Sequence, residues 1–334
     1  MKGFSIIVCC YNSATVLPET LRRLSRLKIR EGLGVELIVV DNCCTDQTVQ
    51  IAETEWLHAG SPFHLTIAEE NIPGLSAARE KGISLAQYDY LVFCDDDNRL
   101  NDNYLMVAEQ FLSAHPRVGA LGGLGIPEWE ALPVYWPDDF YIYGSGPQGA
   151  KSGKMPFVHG AGIIIRKAAY AALKKADFTF ILSDRKQNQL SSGGDYELCC
   201  ALALAGYDIW YEQQLQFSHF ISSERITWAY CKKFIQQSTP ALDVLDIYHF
   251  ILRHREKEGG INQFYGHQLK VLLYHMKELL VSTCRSVYYR RHPKVHFLER
   301  FHQLFHLERV KYICINVLSY KAYYRKIHAL KFRL

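Results

Sequence analysis

Four short, almost unbroken apolar runs dominate the first hundred residues, and the segments between them repeat with a helical period. The runs are Phe4–Cys9 (FSIIVC), Val35–Val40 (VELIVV), His64–Ala68 and Tyr90–Cys94 (YLVFC). A strand buried on both faces has no polar side to alternate with, so such runs read as parallel strands inside a covered sheet. The connecting segments Leu17–Arg30, Thr45–His58 and Gly74–Ala86 carry helical periodicity, with Ser13 or Thr15 available to cap the first and Thr45 to start the second. Strand and helix in alternation imply an α/β fold, a doubly wound sheet flanked by helices. In such sheets ligands gather beyond the carboxyl ends of the strands, here Cys10–Asn12, Asp41–Cys44, Glu69–Gly74 and Asp95–Asn98.

Beyond residue 100 the pattern changes. Gly119 to Gly160 is rich in Gly, Pro, Trp and Tyr with no sustained period, and is expected to be a long loop that forms a lid or binding wall. GAGIIIR at 160–166 reads as a strand running into a helix over Lys167–Ala176, and residues 191–205 as a loop feeding a helix that Gly206 ends. Tyr207–His219 is again extended. Amphipathic helices are expected over Ile226–Gln237, Ala241–Lys257 and Gln263–Thr283, with a break at Gly259–Gly260. A last basic helical region, Val295 to Leu334, follows Arg290–Pro293. The chain thus divides into 1–222, with halves 1–100 and 101–222, and a helical C-terminal region 223–334.

Charge follows the same division. Residues 1–219 carry 18 Lys and Arg against 26 Asp and Glu, whereas 220–334 carry 20 against 8. An acidic front and a basic, Tyr- and His-rich rear suggest two regions facing different partners. At 49% hydrophobic and 22% charged residues the chain is neither disordered nor fibrous, and no apolar run approaches the roughly eighteen residues of a membrane span. Residues 1–11 are too short and strand-like for a signal sequence. Six of the ten cysteines stand in adjacent pairs with no CxxC, which suits neither a disulfide framework nor a zinc knuckle. A cytoplasmic location is expected, at the inner face of the cell membrane if the basic rear contacts lipid.

The sharpest local chemistry is Asp95-Asp96-Asp97-Asn98 at the end of the fourth strand. Three successive carboxylates repel one another unless a positive charge sits among them. A hard divalent cation, Mn²⁺ or Mg²⁺, shared with a diphosphate answers that need. Alternation along an extended segment would put Asp95 and Asp97 on one side and Asp96 on the other. The alternative is a solvated acidic turn with Asn98 capping a helix.

These runs carry a resemblance to a known family. SIIVCCYN at 5–12, LIVVDNCCTDQT at 37–48, NIPGLSAAREKGI at 71–83 and FCDDDNRL at 93–100 resemble, in order and spacing, the motifs of family 2 glycosyltransferases of the GT-A fold. The resemblance implies that Asp41 accepts a hydrogen bond from the nucleobase and that Cys10, Tyr11 and Asn12 line the same pocket. It also implies that Arg79 lies near base or diphosphate, that Asp95 and Asp96 contact the nucleotide-sugar, and that Asp97 binds the metal. The residue chemistry agrees: a carboxylate accepts the imide N–H of uracil, a tyrosine stacks on a base, and an arginine offers a planar cationic fork. Asp41 as a turn cap, Arg79 as a surface charge and Tyr11 as core packing are the plainer readings.

Further along, GAGIIIRKAAY at 160–170 resembles the stretch that lines the acceptor side, and SGGDYELC at 192–199 the G-E-D-x-E-L motif. By that resemblance Asp195 is the general base that deprotonates the acceptor hydroxyl for in-line, inverting attack. The chain departs from the motif at Gly194, where Glu is usual. Glu197 is the competing base, and an N-cap role is the plain reading of Asp195. His219, in FSHFIS, is either a second metal ligand or a core histidine. Trp129, Trp136, Tyr141 and Tyr143 are either sugar-stacking walls or core aromatics.

The expected activity is metal-dependent transfer of a sugar from a nucleotide diphosphate donor, a UDP-sugar, to a glycan or lipid-linked glycan in surface polysaccharide synthesis. The basic rear, with its interleaved aromatics, would contact a membrane peripherally or serve as a solvated or dimerising appendage. No nucleic-acid recognition motif is present. The alternatives are an inactive sugar-nucleotide-binding assembly partner at the membrane and a nucleotidyltransferase. The latter should carry a Gly-rich, basic loop after the first strand, and Cys10-Tyr11-Asn12-Ser13 is not one.

Overall fold

The computed structural model describes residues 1–137, 139–182, 190, 192–254 and 260–330. Strands β1 (Gly3–Cys10), β2 (Gly34–Asp41), β3 (His64–Glu69) and β4 (Tyr90–Phe93) are the four apolar runs. They are parallel in the order β3-β2-β1-β4, and the register sets Cys10 beside Asp41 and Asp41 beside Glu69. The predicted ligand-binding ends therefore share one edge. Helices α1 (Leu17–Leu24), α2 (Thr48–His58) and α3 (Leu75–Leu85) connect the strands. α1 stops at Leu24, short of the expected Arg30, because the following turns are held elsewhere: the Lys28 amide donates to the Asp102 carbonyl at 2.7 Å. α2 begins at Thr48 rather than Thr45, its first amide donating to the Asp46 carboxylate at 3.1 Å. The first amides of α1 use the Ser13 carbonyl, and neither the Ser13 nor the Thr15 side chain caps the helix.

One glycine governs how closely α3 meets the sheet. A Cβ at Gly82 would lie 2.4 Å from Cγ2 of the buried Ile7 on β1. Gly82→Ala should therefore cost about 1–3 kcal/mol by overpacking, measured by urea denaturation.

The sheet then becomes mixed. β5 (Asn98–Leu100) and α4 (Tyr104–Ala114) lead into β6 (Val118–Trp129) and the short β7 (Gly153–Lys154). β8 (Ile164–Arg166), α5 (Lys167–Lys175), α6 (Gly194–Leu204) and β9 (Asp208–Ile221) follow. β8 runs antiparallel to β4 and β6, β9 runs parallel to β6, and β5 pairs antiparallel with β9 at the edge. The glycine-rich start of the expected loop is thus the twelve-residue strand β6. Its glycines leave room for neighbours: a Cβ at Gly123 would fall 2.0 Å from the Leu215 carbonyl oxygen. Within GAGIIIR, 164–166 are strand and 160–163 a turn closed by the Ile163 amide on the Gly160 carbonyl.

The rear is helical, as its periodicity predicts: α7 (Trp228–Ser238), α8 (Ala241–Arg253), α9 (Ile261–Tyr288), α10 (Pro293–Asn316) and α11 (Tyr320–Leu330). The expected end of the second of these at Lys257, and Gly259, lie outside the described residues. Tyr248 of α8, Phe264 of α9 and Tyr320 and Ile327 of α11 are buried in one cluster with Leu198 and Leu202 of α6. Arg309 of α10 forms ion pairs at 2.6 Å with the fully buried Asp243 and with Asp246, both on α8. No helix among the described residues is long and apolar enough to cross a membrane.

α9 and α10 pack as a hairpin, in which His275 Nδ1 meets His306 Nδ1 at 2.7 Å. Burial, reinforced by Arg309 and His306 and opposed by Asp246, pushes the His275 pKa down to about 4. Burial and His302, against Glu278, also lower that of His306. Both rings are neutral in the fold, while the unfolded chain takes up their protons near the ordinary histidine value. Stability should therefore fall as pH drops from about 6.5 towards 4. Melting temperatures measured across that range should show a shallower slope in His275→Gln than in wild type.

Candidate active site

The carboxyl ends of β1, β2 and β4 open into a cleft of about 750 Å³. Cys10 is buried in its wall, whereas Tyr11 is 41% exposed at the cleft and is not core packing. Asn42, just past β2, ties this edge together: its amide donates to the Glu70 and Ile72 carbonyls, and its oxygen accepts the Gly74 amide at 2.7 Å. Sequence reading passed over Asn42 in favour of its neighbour. Asp41 is half-buried and accepts the Cys44 amide at 2.8 Å. Asn12, at φ 53°, accepts the Thr45 amide at 2.7 Å. Both brace loops directly beside Cys10, Tyr11 and Asn42, which line the cleft. Arg79 lines the cleft from α3, its guanidinium carbon 5.2 Å from the centre of the Phe93 ring.

The acidic run is a turn, not an extended segment. The Asn98 amide donates to the Asp95 carbonyl at 3.0 Å, and Asn98 enters β5 instead of capping a helix. The expected alternation is therefore lost, and Asp95, Asp96 and Asp97 all line the cleft. The Ser13 hydroxyl donates to the Asp96 carboxylate, and Thr20 donates to the Asp96 carbonyl at 2.7 Å. Burial, and then the charge of Asp97, push the Asp96 pKa up to about 7. The same loop thus carries a carboxyl group that ionises reluctantly beside one that stays paired.

The pairing comes from residues far along the chain. β5 sets Asn98 opposite His219 on β9, which carries His219 Nε2 to 3.4 Å from Asp97 Oδ1. Six residues later Arg225 Nη1 sits 2.9 Å from Asp97 Oδ2 and 3.5 Å from His219 Nε2. Burial opposes the charge on Arg225, but Asp97, Tyr230 and Asp96 outweigh it and hold the guanidinium firmly protonated. Sequence reading missed Arg225; its one signal was that three adjacent carboxylates require a counter-charge.

No group of three or more His, Cys, Asp or Glu side chains among the described residues converges as a metal site. The donor set nevertheless fits a divalent cation. Asp97 Oδ1 and His219 Nε2, both on buried side chains, approach to 3.4 Å, an oxygen and nitrogen pair of the kind a divalent cation takes. Mg²⁺-type sites commonly use one or two protein ligands and take the rest from phosphates and water.

Across the cleft, Asp195 lies in the first turn of α6, two residues past the N-cap Gly193, so it is not itself the cap. Its Oδ2 accepts the Gly160 amide at 2.6 Å. A Cβ at Gly160 would lie 2.5 Å from that oxygen, so only glycine lets the two segments meet. Glu197, the competing base, is fully buried and accepts the Ile181 and Leu182 amides and the Tyr248 hydroxyl. It organises the core. His159, also unforeseen, bonds the Tyr196 hydroxyl through Nδ1 at 2.8 Å; burial, then His219, push its pKa down to about 4, so the ring is neutral. Of the four loop aromatics, Tyr143 lines the cleft, Trp136 is buried with Trp129 packed edge-on against it, and Tyr141 is exposed.

Residues 5–173 match the family described as Glycosyl transferase family 2. The chain is a family 2 glycosyltransferase. The match covers the four strand-end motifs and the Gly160 turn, and stops before Asp195. Among family relatives, the poly(ribitol-phosphate) beta-N-acetylglucosaminyltransferase TarS of Staphylococcus aureus is 29% identical over 136 residues, 38% of this chain and 23% of TarS. The cholesterol galactosyltransferase of Borreliella burgdorferi is 30% identical over 103 residues, 31% of this chain and 27% of that protein. The chain thus aligns with about a quarter of the length of these curated relatives.

Solved structures extend the likeness over nearly the whole transferase. S. aureus TarS 1–349 in complex with UDP-GlcNAc aligns with a TM-score of 0.51 at 19% identity, covering 92% of each chain. A mannosyltransferase of Pyrobaculum calidifontis in complex with GDP-Man and Mn²⁺ aligns with a TM-score of 0.55 at 16% identity, covering 98% of this chain and 84% of that one. At these identities the likeness establishes the fold, a GT-A sheet with helices after it.

Proposed function

We propose that this transferase moves a sugar, with inversion, from a UDP-sugar to a hydroxyl of a glycan or lipid-linked glycan in surface polysaccharide synthesis. The observation that carries this reading is that the Asp95–Asp97 turn, between β4 and β5, and Asp195, in the first turn of α6, face one cleft. The acceptor hydroxyl would give its proton to the Asp195 carboxylate as its oxygen bonds the anomeric carbon. The bond from that carbon to the diphosphate breaks, and the electron pair leaves on the diphosphate, whose charge Arg79 and Arg225 are there to offset. A divalent cation, when bound, would neutralise that diphosphate charge, held by Asp97 and His219. Asp41 would accept the uracil imide N–H, and Tyr11 would stack on the base.

The TarS complexes with UDP-GlcNAc and UDP support a UDP donor, and the Mn²⁺ complex of the mannosyltransferase supports the metal. Peripheral membrane contact has its own support. Leu269, Leu273, Met276, Leu280 and Val287 form an exposed stripe along α9, with exposed Lys270, Lys277, Arg285, Arg290 and Arg291 beside it or just past its end. Thermal-shift binding tests the donor half: UDP with Mn²⁺ should raise the melting temperature more than GDP with Mn²⁺ or UDP alone. A protein that no nucleoside diphosphate stabilises would not be this enzyme.

A further inference from the structure

The cleft does not end at Asp195. It runs on between α7, α8 and α10, where Phe234, Ile235, Leu242, Leu245, Phe301 and Phe305 line it. All six belong to helices that follow the matched family segment. The polar side chains of this extension offer little to a sugar. Ser238 donates its hydroxyl to the Phe234 carbonyl at 2.7 Å and Thr239 donates to the Ile235 carbonyl at 2.6 Å, so neither hydroxyl proton is left for a ligand. His302 adds an imidazole, and Tyr230, near the start of α7, a phenol. Leu242, Phe301 and Phe305 are only half-buried, so they present apolar surface to the cavity instead of closing it. A polysaccharide chain lying there would exchange its hydration for walls that return few hydrogen bonds, a poor bargain for hydroxyl groups and a favourable one for methylenes.

We infer that this extension is a gallery for an aliphatic group of the acceptor, with the acceptor hydroxyl presented to Asp195 and its hydrocarbon portion bedded between α7, α8 and α10. The inference rests on the reading of the cleft as the transfer site and narrows its acceptor to one carrying an aliphatic chain close to the reacting sugar. The exposed apolar stripe of α9, in the same helical region, gives such a chain a lipid surface to come from.

Methyl, hexyl and octyl β-D-glucosides, titrated below their micellar concentrations with and without UDP and Mn²⁺, test the gallery. Affinity should rise about fourfold for each methylene that is buried, with octyl glucoside at least about tenfold tighter than methyl. Leu242→Gln and Phe305→Gln should each remove most of that gain and keep the UDP-induced rise in melting temperature. Equal affinity along the series overturns the inference, and so does a chain-length gain that survives both substitutions. The wild-type series decides even if a variant fails to fold. The UDP shift in the same samples reports separately on the donor half, so failure of the gallery and failure of the transferase reading are distinct results.

Discussion

Asp195→Asn should lower sugar transfer about 10³-fold while leaving nucleotide binding in place, because it removes a proton acceptor and little else. The asparagine oxygen can still accept the Gly160 amide that holds Asp195 at 2.6 Å, so the turn at 160–163 keeps its anchor. The loss should fall on kcat, read from product formation at saturating donor, and the UDP-dependent rise in melting temperature should match wild type. Glu197→Gln is the informative contrast. Glu197 is fully buried and receives two amides and the Tyr248 hydroxyl, so its substitution should lower the melting temperature and spare kcat in the folded fraction. If Glu197→Gln abolished transfer while Asp195→Asn did not, the two roles would have to be exchanged.

Asp97→Ala should weaken UDP binding in the presence of Mn²⁺ by about 10²-fold and leave the protein folded. Two electrostatic effects compete over stability. Removing Asp97 takes away the 2.9 Å partner of Arg225, which is largely buried, and an unpaired buried cation is costly. The same change removes the like charge that, after burial, raises the Asp96 pKa, and Asp96 already interacts favourably with Arg225. Asp96 can then ionise and take over part of the pairing, so the net loss should be modest, about 1–2 kcal/mol. Calorimetry of UDP binding with and without Mn²⁺ separates the two consequences. Arg225→Gln should weaken UDP binding in the absence of metal as well, since it removes positive charge from the cleft outright.

Much of the front half was legible because its signals are local. Phe4–Cys9, Val35–Val40 and Tyr90–Cys94 are almost wholly apolar and lie buried inside the parallel sheet, whereas His64–Ala68, with His64 and Thr66, forms its partly exposed end strand. Asp97 and Asp195 were named because strand-end and motif positions are short-range patterns. The glycine-rich start of the middle segment was misread for the opposite reason. β6 looks like a loop because its strand-forming fit depends on Val158, Leu215 and Phe217 crowding its glycines from distant parts of the chain. The extended reading of Asp95–Asp97 failed similarly: the turn is set by the Asp95 carbonyl bond and by β5 pairing with β9.

The amino-acid order by itself determined the four strands and the edge at which ligands gather, which follow from side-chain periodicity within a few residues, and the family, which follows from the resemblance of its short strand-end motifs. Only the tertiary structure decided what meets there. Arg225 and His219 reach Asp97 because an edge strand of three residues pairs with β9, and Gly160 fits Asp195 because it has no Cβ. The apolar gallery likewise exists only where three helices from the far end of the chain close on the cleft. Such contacts rest on backbone pairing and packing across long separations, which leave no periodic trace in the residues that make them.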